Sequence, residues 1–237
     1  SLFVSWFGSD LRVGNCEVKP AVDSQDKLIF GRDWLVSNTT RNIAPVTSLD
    51  NGRPAYGGTP SDETIINAIT DLKSRGVNVT FNPFLLMDIE ASNSLPDPYT
   101  GNSFQPRYPW RGRITVDPAP GLPSTPDKTS TAISQLNNFI GQAAINDFVT
   151  SGNYVTYQGP AEWTWRRMVL HYAHLCQLAG GVDSFIIGSE MRGLTTIRDE
   201  ANNFPFVNAL LQLAADVKTI LGANCKVTYA ADWSEYF

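Results

Sequence analysis

Acidic residues stand where hydrophobic runs stop. Asp10 follows LFVSWFGS, Asp88 and Glu90 follow VTFNPFLLM, Glu190 follows VDSFIIGS, and Asp232 follows KVTYAA. A carboxylate beside a buried run is costly unless it is paired or put to use. Partial burial would let Glu190 hold a proton near neutrality and give it to a leaving oxygen, which is general acid/base work. The structural alternatives are an N-cap for the next helix, or an ion pair with Arg192 or Arg198. Asp232 lies in AADWSEYF with Trp233, Glu235 and Tyr236. Aromatics beside carboxylates suit sugars, because a ring's apolar face stacks on an indole while its hydroxyls bond to carboxylates. Capping the next turn is the alternative for Asp232. Asp88 and Glu90 share a side of an extended chain, or they simply begin a solvated loop.

Other chemistries are poorly supplied. His171 and His174 form HxxH with no third ligand in view, so no metal site is expected. GGTPSDET, residues 57–64, lacks the lysine of a phosphate-binding loop. GSE is not a GxSxG nucleophile elbow. No cofactor is expected.

The elements that must position these carboxylates repeat. Three times an amphipathic helix, a glycine, an apolar strand and an acidic residue follow one another. In the first copy Thr59 can cap, Pro60 suits the first helical position, and Ile65, Ile66, Ile69 and Leu72 form the apolar stripe. Gly76 stops that helix and a strand over 77–87 follows. The second copy places Trp165, Met168, Tyr172 and Leu175 at helical spacing, then Gly180-Gly181 and a strand over 182–187. The third runs from Val207 to Leu221, stops at Gly222, and continues as a strand over 226–230. Strands near Leu2 and over 43–48 bring the count to five. Helix-separated strands imply parallel pairing with right-handed crossovers. Apolar rather than alternating strands imply burial on both faces. Ligand chemistry in such folds sits at the carboxyl ends of strands, where Asp10, Asp88, Glu190 and Asp232 fall. Residues 91–130 hold eight prolines and no helical period, which reads as a long loop insertion, with Tyr99, Phe104, Tyr108 and Trp110 arguing for order. A further helix is expected over 132–149.

Composition bounds the partners. The chain has 237 residues, 42% hydrophobic and 17% charged, with net charge −5. Arg166-Arg167 is its longest basic run, which argues against a nucleic-acid partner. No apolar run approaches the roughly 18 residues of a membrane span. Cys16, Cys176 and Cys225 lack CxxC spacing and read as buried free thiols. The start SLFVSWFGSD has no basic leader region. It begins at Ser, as a piece of a longer polypeptide would.

Several long motifs carry a family likeness: SWFGSDLRVG, AYGGTPSDETI, FNPFLLMDI, PWRGRIT, LHYAHLCQLAGGVDSFIIGSEMRGLTTIRD and VTYAADWSEYF. Together they resemble the TIM-barrel-like glycoside hydrolase domain of gene transfer agent and phage tail proteins, the large tail-tip or baseplate hubs. More distantly, IGSEM and TYAADWSEY are similar to the fourth- and fifth-strand motifs of clan A glycosidases, including the family 113 mannanases. The resemblance implies an α/β, (β/α)8 TIM-barrel-like domain over 1–237, present as its first five strands. It implies a retaining glycosidase with Glu190 as acid/base at the end of strand four. The nucleophile at the end of strand seven would then lie beyond Phe237, about 5–5.5 Å from Glu190 in the closed site. Trp6, Asp10, Asp88, Trp110, Asp232 and Trp233 would line the sugar cleft. The implied partners are a bacterial cell-wall (peptidoglycan-type) or surface polysaccharide and other tail or baseplate proteins. The implied location is a particle tail made in the bacterial cytoplasm. A secreted mannanase-like enzyme and an inactive structural or sugar-binding tail domain are the other readings.

Overall fold

The computed structural model describes residues 1–27, 31 and 33–236. Its central sheet has the strands β1 (Leu2–Gly8), β2 (Val18–Lys19), β3 (Thr80–Met87), β4 (Ser184–Ser189) and β5 (Lys226–Ala230). Their spatial order is β5-β4-β3-β1-β2. β1, β3, β4 and β5 are parallel to their neighbours, while the short β2 pairs antiparallel with the end of β1. The helices are α1 (Asp62–Ser74), α2 (Ser130–Ile140), α3 (Trp165–Leu178), α4 (Arg192–Thr195) and α5 (Pro205–Leu221). α1, α3 and α5 each lead into a parallel strand, as the helix-glycine-strand repeat predicts. The result is a mixed α/β fold with a mostly parallel sheet.

Local chemistry accounts for most boundaries. Ser61, not Thr59, caps α1 by accepting from the Thr64 amide at 3.3 Å. Thr59 instead donates to the Ser5 carbonyl at 2.7 Å and accepts from the Ala21 amide at 3.2 Å, which ties its loop to β1. Thr164 caps α3 through the Arg167 amide. Pro205 opens α5, where its missing N–H costs nothing. Gly76 and Gly222 take φ of 72° and 82° just past α1 and α5, a region closed to most side chains.

Three expectations need correction. Residues 43–48 are not a strand of the sheet; they make only an isolated bridge between Val22 and Val46. Ala44 and Thr47 are buried, but Ile43 and Val46 are exposed, so the segment offers no continuous apolar face to a sheet. The helix expected over 132–149 stops at Ile140, because Gly141 turns to φ 86°. The chain beyond it forms an antiparallel hairpin of Phe148–Ser151 with Tyr154–Tyr157. The sheet is also not buried equally on both faces. Val4, Trp6, Phe81, Leu85, Phe185 and Ile187 are buried on the face that meets the helices, where Trp6 and Phe81 pack on Tyr172 of α3. On the opposite face Phe3 is 57% exposed, and Phe84, Leu86 and Ile186 are half-buried. All three crossover helices lie on one side, so the other is roofed only where loops reach it.

The segment 91–130 is ordered by its own packing. Ile114, Val116 and Ala119 are buried. Thr115 exchanges backbone hydrogen bonds with the chain after β1: Val13 N donates to Thr115 O at 2.8 Å, and Thr115 N to Leu11 O at 2.9 Å. Because this segment follows β3, it folds over the carboxyl end of the sheet.

Candidate functional site

β4 delivers Glu190 through a break in regular pairing. Its register against β5 shifts between Ile186 and Ser189. The Glu190 amide then donates to Ala230 O at 2.9 Å, and the Met191 amide to the Tyr229 hydroxyl at 2.7 Å. Glu190 itself takes φ 54°, the left-handed region that a residue with a β-carbon enters at a cost. The sharp turn lifts its carboxylate off the strand and toward the 91–130 segment.

Two donors from that segment meet it. Trp110 Nε1 donates to Glu190 Oε2 at 2.8 Å, and Arg111 Nη2 to the same oxygen at 2.7 Å. Arg111 also donates from Nε to Ser189 O at 2.9 Å and to Ser189 Oγ at 3.2 Å. Its guanidinium carbon stands 3.9 Å from the centre of the Phe84 ring, on the open face of the sheet. Burial pulls the Arg111 guanidinium below its ordinary value, against the raising influence of Glu190 and Tyr229. Gly112 makes room for the Trp110 indole, since a β-carbon there would meet the ring at 2.5 Å. Glu190 is partly buried, as expected: its side chain is 38% exposed and its Oε2 accepts from two donors. Its ion-pair partner is Arg111, far away in sequence, rather than Arg192 or Arg198; Arg198 faces Asp127.

The other expected cleft residues divide. Trp110 is half-exposed and joined to Glu190. Trp6 is not a cleft residue: it is fully buried and donates to the Tyr172 hydroxyl at 2.7 Å. Strand alternation turns it toward the helices. Asp10 is also buried. It accepts from Arg12 through both oxygens and from Gln105 Nε2 at 2.6 Å, which pins the 91–130 segment to the end of β1. Asp88 accepts from the Ser48 amide at 2.9 Å and hydroxyl at 2.6 Å. Asp232 caps the turn Trp233–Glu235, accepting from the Ser234 hydroxyl and from the Ser234 amide at 3.0 Å, and these bonds, the hydroxyl's first, pull its carboxyl below the ordinary range. Trp233 stands 75% exposed on that turn. Glu235 links three groups, accepting from Thr195 Oγ1 and Tyr229 Oη at 2.9 Å each and from the Asp232 amide at 2.7 Å. Asp10, Asp88, Asp232 and Glu235 are thus each committed to structural bonds.

Glu190 stands at the end of the third parallel strand, not the fourth, once residues 43–48 leave the count. That departs from the strand-four position implied by the glycosidase likeness. Arg111, Gly112 and Tyr229 were missed as supports of Glu190; the run PWRGR carried the signal, in an arginine flanking a glycine next to a tryptophan. Among the described residues, no group of three or more His, Cys, Asp or Glu is placed to hold a metal ion. His171 pairs with Asp62 at 2.9 Å inside the core, and His174 faces the Ile145 carbonyl. All three cysteines are buried and free. Among the described residues, no helix is long and apolar enough to cross a membrane.

A family model described as the GTA TIM-barrel-like domain matches residues 163–237. The chain is similar to that domain there. The matched part runs from the start of α3 through β4, Glu190 and β5, and leaves out β1, β3 and the Trp110-Arg111 turn. No curated protein matches the chain.

Proposed function

We propose that this chain is a glycosidase-like domain of a phage or gene-transfer-agent tail hub, acting on or binding a bacterial cell-wall or surface polysaccharide. The observation that carries this reading is the Glu190–Trp110 pair. A strand-end carboxylate in strained backbone is hydrogen-bonded to a half-exposed indole at the carboxyl end of a parallel sheet. A pyranose stacked on Trp110 would set its hydroxyls or glycosidic oxygen beside Glu190. The sequential order of the parallel strands, with β3, β4 and β5 each entered through a helix, supports a partial (β/α)8 wall with this site at its mouth. Glu190 would serve as general acid/base, with a retaining nucleophile supplied by a carboxylate facing it from the rest of the barrel.

A second reading, an inactive sugar-binding tail domain, is favoured by the Arg111 ion pair. A carboxylate held by a guanidinium is better placed to accept from sugar hydroxyls than to donate a proton. Both readings are tested by incubating the protein with peptidoglycan sacculi and with purified surface polysaccharides. Release of reducing ends that vanishes in Glu190→Gln supports the enzyme. Binding without release, weakened by Trp110→Ala, supports the second reading. Neither binding nor release would end both.

A further inference from the structure

Beside the Trp110 indole, and without Glu190 in its walls, lies a cavity of about 430 Å³. Its walls include Tyr99, Trp110, Arg113, Arg192, Gly193 and Thr196. That volume falls within the range of small-ligand sites and suits one or two sugar rings. Its charge is one-sided. Many arginines of the chain are spent on carboxylates, among them Arg12 on Asp10, Arg41 on Asp23, Arg107 on Asp50, Arg111 on Glu190 and Arg166 on Asp216. Among the described residues, neither Arg113 nor Arg192 has a carboxylate within ion-pair distance. Arg192 acts on Asp232 only through space.

The two guanidinium groups are brought to this cavity by built features. Arg113 stacks 4.7 Å over the Tyr99 ring, and the Tyr99 hydroxyl donates to Arg113 O at 2.9 Å. Gly193 packs directly on the 112–114 backbone, where a β-carbon would overlap the Ile114 carbonyl oxygen. That close approach holds α4, and with it Arg192, against the turn that carries Arg113. A protein of net charge −5 has therefore gathered two unspent guanidinium forks beside an aromatic wall. Such forks match planar or tetrahedral oxyanions.

We infer that this cavity is a subsite for an anionic sugar, one bearing a carboxylate or a phosphate, adjoining the Glu190 site at the shared Trp110 ring. The inference rests on the glycan reading above and narrows it to acidic polysaccharides. Arg192 and Arg113 bind the anionic substituent, while the ring carrying it packs between Tyr99 and Trp110. The neighbouring sugar lies toward Glu190.

The test is calorimetric titration at low salt with four probes: a carboxylated, a phosphorylated and a neutral tetrasaccharide, and inorganic phosphate alone. At least one anionic tetrasaccharide should bind about tenfold or more tightly than the neutral one, the equivalent of one charge-assisted bond. The tighter of the two identifies the substituent. Arg192→Gln and Arg113→Gln should each remove most of that preference and leave neutral binding in place. Arg192 is exposed, so its variant keeps the fold even where the Arg113 variant does not. Equal binding of anionic and neutral sugars overturns this inference alone and leaves the glycan reading standing. So does a preference that survives both arginine changes, or inorganic phosphate binding as tightly as the anionic sugar. If no tetrasaccharide binds, the glycan reading falls and this inference falls with it.

Discussion

Replacing Glu190 by glycine and, separately, by alanine isolates the cost of its backbone. Both changes delete the carboxylate, so both lose the Trp110 and Arg111 bonds equally. They differ in what φ 54° demands. A residue with a β-carbon gives up about 1–2 kcal/mol in the left-handed region. Glycine avoids that cost but loses more chain entropy on folding, about 0.5–1 kcal/mol relative to alanine. The glycine variant should therefore be the more stable by about 0.5–1 kcal/mol, the reverse of their usual order. With a urea slope of about 2–3 kcal/mol/M for a chain of this size, the midpoint should move by about 0.2–0.5 M. Tryptophan fluorescence during urea unfolding measures it directly. An alanine variant as stable as the glycine variant, or more so, would refute the view that strain is stored at Glu190. It would also remove one reason for reading that residue as functional rather than incidental.

Three further outcomes are expected. Gly112→Ala should push the Trp110 ring away from Glu190. Because that indole is half-exposed it can swing into solvent, so the stability loss stays below about 1 kcal/mol while the indole N–H resonance shifts upfield; an unmoved resonance contradicts the packing described. Asp62→Ala strips the fully buried His171 of its partner and should cost about 2–4 kcal/mol. A loss below 1 kcal/mol would mean the pair is not a support of the α1–α3 contact. Burial lowers the His174 imidazole below its ordinary value, over the opposing bond to Ile145 O. A depressed folded value means the unfolded chain binds the proton first, so His174 contributes stability above the unfolded value near 6.5 that is lost as pH falls through the folded one. Urea midpoints at pH 7.5 and 5.5 should therefore diverge more in the wild type than in His174→Phe; equal divergence would exclude this histidine as a source.

The repeat of helix, glycine and strand was legible because periodicity and helix stops are local. α1, α3 and α5 and the strands they feed fall where the apolar stripes and Gly76, Gly180 and Gly222 put them. The errors came where local pattern and burial part company. IAPVTS reads as a strand, yet it has no partner to pair with beyond Val22. Thr59 reads as a cap, but the helix begins two residues later and Thr59 is drawn to Ser5 instead. Trp6 reads as a stacking platform, yet strand alternation sends it to the helix side.

The sequence by itself determined the α/β class, the parallel units and the placing of acidic residues at strand ends, since these follow from side-chain periodicity along a continuous chain. It also singled out Glu190. Tertiary structure alone decided which of those acids is available. Asp10, Asp88 and Asp232 are bound by Arg12, Ser48 and Ser234, whereas Glu190 is offered to Trp110 and Arg111 from a segment some eighty residues earlier. Its left-handed backbone and its arginine partner are set by how the 91–130 segment folds across the sheet. No window of sequence around Glu190 contains that contact, because the bonds that define the site join residues that only the folded chain makes neighbours.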